Sequence, residues 1–211
     1  MPLPPITVGP RARIVFQGDS ITEAGRRPGD GTSLGSGYVR LVADELGAAH
    51  PGLRFVNRGV GGDRAADLRS RWQRDTTAHE PALVSVMVGV NDTWRRYDSG
   101  DPTSLTAYER DYRAVLEESR AAGARLLLIE PFLVPVDEGQ WTWREDLDGR
   151  IHVVRRLAAE FGAGLLCADG LLNQAAARHG GADRIAGDGV HLTPLGHSLL
   201  AEAWLGLVSV G

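Results

Sequence analysis

Apolar residues along the 211-residue chain gather into short continuous runs, separated by longer stretches in which they recur every three or four positions. Four runs are rich in Val, Ile and Leu: RIVFQ (13–17), LVSVMVG (83–89), RLLLIEPF (125–132) and AGLLCAD (163–169). A fifth, LRFVN (53–57), is shorter and similarly placed. A strand with one wet face alternates apolar and polar side chains, so continuous runs predict strands of a parallel sheet covered on both faces.

The intervening stretches carry helical spacing. Helices are predicted over SGYVRLVADELGAA (36–49), DRAADLRSRWQRDTTA (63–78), TSLTAYERDYRAVLEESRAAG (103–123) and REDLDGRIHVVRRLAAEFG (144–162). In the third, Leu105, Tyr108, Tyr112, Val115 and Leu116 form one stripe expected to be buried. TPLGHSLLAEAWLGLV (193–208) predicts a closing helix, with Thr193 as N-cap and Pro194 at its first position. Strands alternating with helices give an α/β fold: a three-layer α/β/α doubly wound sandwich with a five-stranded parallel sheet, one domain over residues 1–211. RRPGDGTSLGSG (26–37) and DEGQWTWRED (137–146) read as long loops after strand C-terminal ends, the edge where open α/β sheets bind ligands.

Composition then narrows the chemistry. A hydrophobic content of 43% suits one sizeable core. A net charge of −4 argues against nucleic-acid or anionic-membrane partners, which demand clustered positive charge. All 23 basic residues are arginine, so mechanisms that need a lysine, such as Walker-type phosphate loops, Schiff bases and Ser-Lys dyads, are excluded. The single cysteine, Cys167, is expected as a small core residue in an apolar run. MPLPPITVGP lacks the apolar stretch of a secretory signal, and no run is long enough for a membrane span, so a cytoplasmic location is expected. No metal or organic cofactor is implied.

Ser20, in VFQGDSITEAG (15–25), stands at a strand-to-helix junction, where serine serves either as helix cap or as nucleophile. Asp19 beside it is an alternative acceptor, or a residue that bonds the backbone amides of the turn. Asp188 and His191, three apart in GDGVHLTPLGH (187–197), suit an acid and base, the carboxylate fixing the imidazole while the far nitrogen takes a proton from a hydroxyl. His197 reads as a structural hydrogen-bonder, and His50, His79, His152 and His179 as surface residues. NRGVGGD (57–63) and GVND (89–92) each follow a predicted strand and offer backbone N–H groups and the Asn91 amide to a developing oxyanion. Trp94, Tyr97, Trp141 and Trp143 are candidates to stack on a sugar ring, and Asp19 joins them as a candidate substrate contact.

With GDSIT (18–22), NRGVGGD, GVND and DGVH (188–191) in order, the chain resembles the SGNH (GDSL-type) hydrolases over nearly its whole length. That resemblance implies a flavodoxin-like sandwich and a serine esterase with Ser20 as nucleophile, His191 as base and Asp188 as its partner. It also implies an oxyanion hole made by the N–H groups of Ser20 and Gly62 and the Asn91 side chain, with Gly61 the neighbouring alternative to Gly62. Further stretches, GSGYVRL (35–41), VSVMVGVNDTWRRYD (84–98) and EPF (130–132) among them, resemble the intracellular acetylxylan-esterase branch. The expectations it carries are an acetylated sugar as small-molecule substrate and self-association of subunits. QWTWRED (140–146) departs from that branch. The alternatives are a short-chain thioesterase or lysophospholipase, or a non-catalytic carbohydrate-binding domain.

Overall fold

The computed structural model describes residues 5–211; Met1–Pro4, the start of the MPLPP segment, lie outside the described residues. Strand β1 (Ile6–Val8) is followed by β2 (Arg13–Gly18), β3 (Arg54–Asn57), β4 (Leu83–Met87), β5 (Arg125–Ile129), β6 (Gly164–Leu166) and β7 (Val208–Val210). The helices are α1 (Ser20–Glu23), α2 (Tyr38–Ala49), α3 (Ala65–Asp75), α4 (Val90–Asp98), α5 (Leu105–Ala121), α6 (Glu138–Trp141), α7 (Arg144–Phe161), α8 (Ala168–His179) and α9 (Pro194–Leu205). Five strands form one parallel sheet in the order β3-β2-β4-β5-β6.

The continuous apolar runs reflect burial on two sides. In β4 and β5, Leu83, Met87, Leu127 and Ile129 pack into one core with Val39 and Val42 of α2, Leu172 of α8, and Leu200 and Trp204 of α9. The alternate residues Val84, Val86, Leu126 and Leu128 pack into the other core with Leu68 and Trp72 of α3, Tyr112 and Leu116 of α5, and Val154 and Leu157 of α7. The strand period of two sends neighbours to opposite faces, so nearly every position is apolar, Ser85 being the buried exception in β4. Each core indole finds an acceptor: Trp204 Nε1 donates to Ser85 Oγ at 3.0 Å and Trp72 Nε1 to Ser119 Oγ at 3.1 Å. A buried N–H without a partner costs about 1–3 kcal/mol, which is why two serines are sealed into an apolar interior.

Several local expectations are corrected. Leu105 is 43% exposed, because it opens α5 and projects ahead of the covered part of the helix, whereas Tyr108, Tyr112, Val115 and Leu116 are buried. The closing helix ends at Leu205, and Val208 instead begins β7, which pairs in parallel with β1 to form a separate two-stranded sheet. Residues 137–146 are not one loop: they hold α6 and the first turn of α7. Cys167 is exposed. The edge strand β6 stops at Leu166, so the next residue has already left the sheet and stands at the N-cap position of α8, where its side chain makes no capping bond.

His197 joins α2 to α9. The N-cap of α2 is Gly37, which has no side chain to cap with, and Tyr38 N–H donates to His197 Nδ1 at 3.2 Å instead. Burial lowers the His197 pKa to about 4. Between pH 6.5 and 4 the unfolded chain therefore binds a proton at this residue that the folded chain refuses, and stability falls as pH falls through that window. Buried Asp19, raised to about 7, contributes the opposite slope, so the test is a comparison. His197→Gln, which keeps an acceptor but cannot titrate, is expected to lose less melting temperature than the wild type between pH 7 and 4.5; equal losses overturn the assignment.

Candidate active site

The order β3-β2-β4 places the topological switch point between β2 and β4, whose C-terminal ends lie side by side with Gly18 opposite Met87. A crevice opens where consecutive connections leave in opposite directions. Ser20 emerges from β2 and Asn91 from β4, so strand order alone brings these two segments, 71 residues apart in sequence by their numbers, to one edge.

Asp19, not Ser20, is the N-cap of α1, with Oδ1 accepting from Ile21 N–H at 3.1 Å. Ser20 is the first helical residue, and its Oγ lies 2.9 Å from His191 Nε2. His191 Nδ1 lies 2.6 Å from Asp188 Oδ2. The other carboxylate oxygen of Asp188 accepts from Val190 N at 3.0 Å and His191 N at 2.7 Å. Burial raises the Asp188 pKa, but the hydrogen bonds from the His191 ring and the two backbone amides outweigh it and hold the carboxyl below its usual range. At Asp19 burial wins: with Ile21 N–H as the chief opposing contact, the group rises to about 7. Only 1% of Asp19 is exposed, so it is no substrate contact; it caps the turn beneath Ser20.

NRGVGGD forms a fixed loop. Asn57 donates to Thr22 O and Leu34 O at 2.7 and 2.9 Å and accepts from Gly59 N at 2.9 Å. Arg26 donates to Gly59 O through Nε and Nη2, and Val60 N bonds Gly18 O at 3.0 Å. A Cβ on Gly59 would stand 2.3 Å from Glu23 N, so α1 and this loop approach as closely as only glycine permits. Gly61 N–H is committed to Glu23 Oε2 at 2.8 Å, which leaves the N–H of Gly62 as the donor of this loop able to serve a ligand. Asn91, 4% exposed, donates one amide hydrogen to Asp63 O at 3.1 Å and keeps the second. Asp92 Oδ2 accepts from Ala65 N at 3.1 Å, so GVND is tied both to NRGVGGD, through Asn91, and to the start of α3 that follows it. Burial raises Asp92 to about 6 against that backbone bond and the charge of Arg150.

Beside His191 stands an aromatic wall. Ring centroids lie 5.9 Å apart for Trp94 and His191, 5.5 Å for Trp94 and Trp143, and 5.5 Å for the stacked pair Tyr97 and Trp143. Tyr97 Oη donates to Thr142 O at 2.9 Å. Trp94, Tyr97 and Trp143 line a cavity of about 560 Å³ that reaches Gln140 and Asp188. Trp94 also packs on the core, so its packing and lining roles coexist. Trp141 is 57% exposed and lies outside that lining, because the turn of α6 directs it to solvent.

Three polar residues at the site escaped the sequence reading. Glu23 holds Gly61, Gln140 donates to Asp188 O at 2.7 Å, and Arg95 Nη2 lies 3.6 Å from where a Cβ on Gly62 would stand. Glu23 and Arg95 sit one helical turn beyond Ser20 and Asn91, a spacing that was available in the sequence but is shared with ordinary surface residues. Nothing in the spacing of Gln140 signals its contact.

Among the described residues no helix is long and apolar enough to cross a membrane. Residues 16–199 match the GDSL-like Lipase/Acylhydrolase family. A curated acetylxylan esterase of Geobacillus stearothermophilus is 35% identical over 208 residues, covering 94% of each chain. The crystal structure of an acetylxylan esterase from the same organism shares the fold with a TM-score of 0.87 at 33% identity, over 95% of each chain. An alpha/beta hydrolase enzyme from the metagenome of Lake Arreo, Spain, matches with a TM-score of 0.86 at 29% identity, over 95% of this chain and 96% of the other. Sequence and fold thus agree over nearly the whole chain, and the chain belongs to the GDSL-like lipase/acylhydrolase family, as a carboxylic ester hydrolase.

Proposed function

We propose that the chain is a carbohydrate acetylesterase that releases acetate from acetylated xylo-oligosaccharides through an acyl-enzyme on Ser20. The observation that carries this reading is the hydrogen-bonded line Ser20–His191–Asp188, at 2.9 and 2.6 Å, opening beside an aromatic-lined cavity.

His191 Nε2 takes the Ser20 proton as Oγ attacks the acetyl carbonyl, and Asp188 holds the ring and stabilises its charged form. The oxyanion is received by Ser20 N–H, Gly62 N–H and the remaining Asn91 amide hydrogen. His191 then returns its proton to the departing alkoxide, so the alcohol must leave on the His191 side. That is the side of Trp94, Trp143 and Tyr97, whose faces suit the apolar face of a sugar ring. Water activated by His191 completes the hydrolysis.

The similarity to an acetylxylan esterase over 94% of each chain supports the sugar ester as substrate. Rates on aryl acetyl, hexanoyl and decanoyl esters, followed by acetate release from acetylated xylo-oligosaccharide, test it. Acetyl is expected to be the preferred acyl group, with acetate freed from the oligosaccharide. A preference for decanoyl esters, with no acetate from the sugar, transfers the chain to the lysophospholipase or thioesterase reading.

A further inference from the structure

We infer that Gln140 is a positioning residue for the esterase reaction, acting through Asp188 and tying the acid of the site to the cavity wall; the inference rests on the triad reading above.

Asp188 sits in a turn that mostly bonds to itself. Its Oδ1 accepts from Val190 N and His191 N, Gly189 N bonds Ala186 O at 3.1 Å, and Gly187 N bonds His191 O at 3.2 Å. Those bonds shape the turn but do not fix where it stands against the sheet. Among the described residues, two hydrogen bonds reach 188–190 from outside the 182–193 segment. One is Val134 N–H to Gly189 O at 2.9 Å, and the other is Gln140 Nε2 to Asp188 O at 2.7 Å.

Gln140 is itself fixed. It is 8% exposed, its Oε1 accepts from Val136 N at 2.9 Å, and its backbone N–H is taken by the N-cap Asp137 at 3.0 Å. Its amide lies flat on the turn: a Cβ on Gly189, a residue at φ +86°, would stand 2.3 Å from Gln140 Oε1. Glycine at 189 therefore serves both the left-handed backbone and the approach of this side chain. Gln140 and Thr142 flank the same turn of chain, and Thr142 O accepts from Tyr97 Oη, so the aromatic wall and the Asp188 turn share one support. Loss of the 2.7 Å bond frees the turn to shift against Ser20. A misplacement of about 1 Å costs up to roughly 10²-fold in rate when the reacting groups themselves are intact.

The test uses kcat and KM on p-nitrophenyl acetate, with a Ser20→Ala control, for Gln140→Met, Gln140→Glu and Asp188→Asn, and for Gln140→Met combined with Asp188→Asn. Gln140→Met loses both side-chain bonds at similar volume, and Gln140→Glu keeps the acceptor for Val136 N–H but no donor for Asp188 O. Both are expected to lower kcat by about 10- to 100-fold with KM changed little, and Gln140→Met is expected to add almost nothing in the Asp188→Asn background. A residue that only supports the fold would lower melting temperature and multiply with Asp188→Asn. Wild-type kcat in either single variant with the fold retained, or full multiplication in the double variant, overturns the inference. Acetate release that survives Ser20→Ala strikes instead at the triad reading, so the two failures are distinguishable.

Discussion

Ser20→Ala is expected to lower kcat on an aryl acetate by roughly 10⁴- to 10⁶-fold and to leave the melting temperature unchanged. The two halves of that result have different causes. The rate collapses because the hydroxyl 2.9 Å from His191 Nε2 is the group that forms the acyl-enzyme, and only the oxyanion donors and substrate binding remain to assist water. Stability survives because the helix cap belongs to Asp19: alanine is well tolerated in a first helical turn, and the Asp19–Ile21 bond is untouched. Had Ser20 been the cap, the same change would cost about 1 kcal/mol of stability. Intact mass after a fluorophosphonate probe supplies an independent readout, with one adduct on the wild type and none on the variant. Labelling or turnover by the alanine variant would remove Ser20 from the mechanism.

The second large effect is expected from Asp188→Asn, about 10⁴-fold in kcat, with the turn undisturbed. Two backbone amides, Val190 N and His191 N, need an acceptor at the Oδ1 position, so the asparagine must turn its carbonyl oxygen toward them. Its NH2 group then faces His191 Nδ1, where Oδ2 now stands at 2.6 Å. An N–H donor there forces Nδ1 to act as acceptor and sends the ring proton to Nε2, the nitrogen that must accept from Ser20. Asp188→Ala removes the carboxylate without imposing that tautomer, so it is expected to retain more activity than the asparagine variant. Asparagine activity within tenfold of wild type would contradict this use of the turn.

How much of this could be read from sequence depends on whether a residue is governed by its neighbours or by the fold. The central strands are legible because two covered faces make each a nearly continuous apolar run, and Leu83–Met87, broken only by Ser85, carries its burial in its composition. Thr193 and Pro194 announced α9 for equally local reasons. Helix α8, ADGLLNQAAARH, was missed because small alanines replace the large apolar stripe of the other helices. The three-residue strands β1 and β7 are too short to show a period and exist only because each finds the other. At the site, Ser20, Asn91, Asp188 and His191 stood out through their motifs, while their geometry depends on side chains with no local signature. Glu23 and Gln140 acquire their meaning from backbone groups 38 and 48 positions away. Asp19 looked as eligible for contact as Ser20, and only burial separates the residue that supports from the residue that is presented.

The pairing of Ile6–Val8 with Val208–Val210 bears on how the molecule carries load. The strands are parallel, so the two ends of the described chain leave the pair from opposite ends of its ladder, and a pull applied between them loads its hydrogen bonds together, in shear. That small sheet stands in the path of the force before the five-stranded sheet does. Under tension it acts as a mechanical clasp, shielding the strand order that holds residues 20, 91 and 191 at one edge.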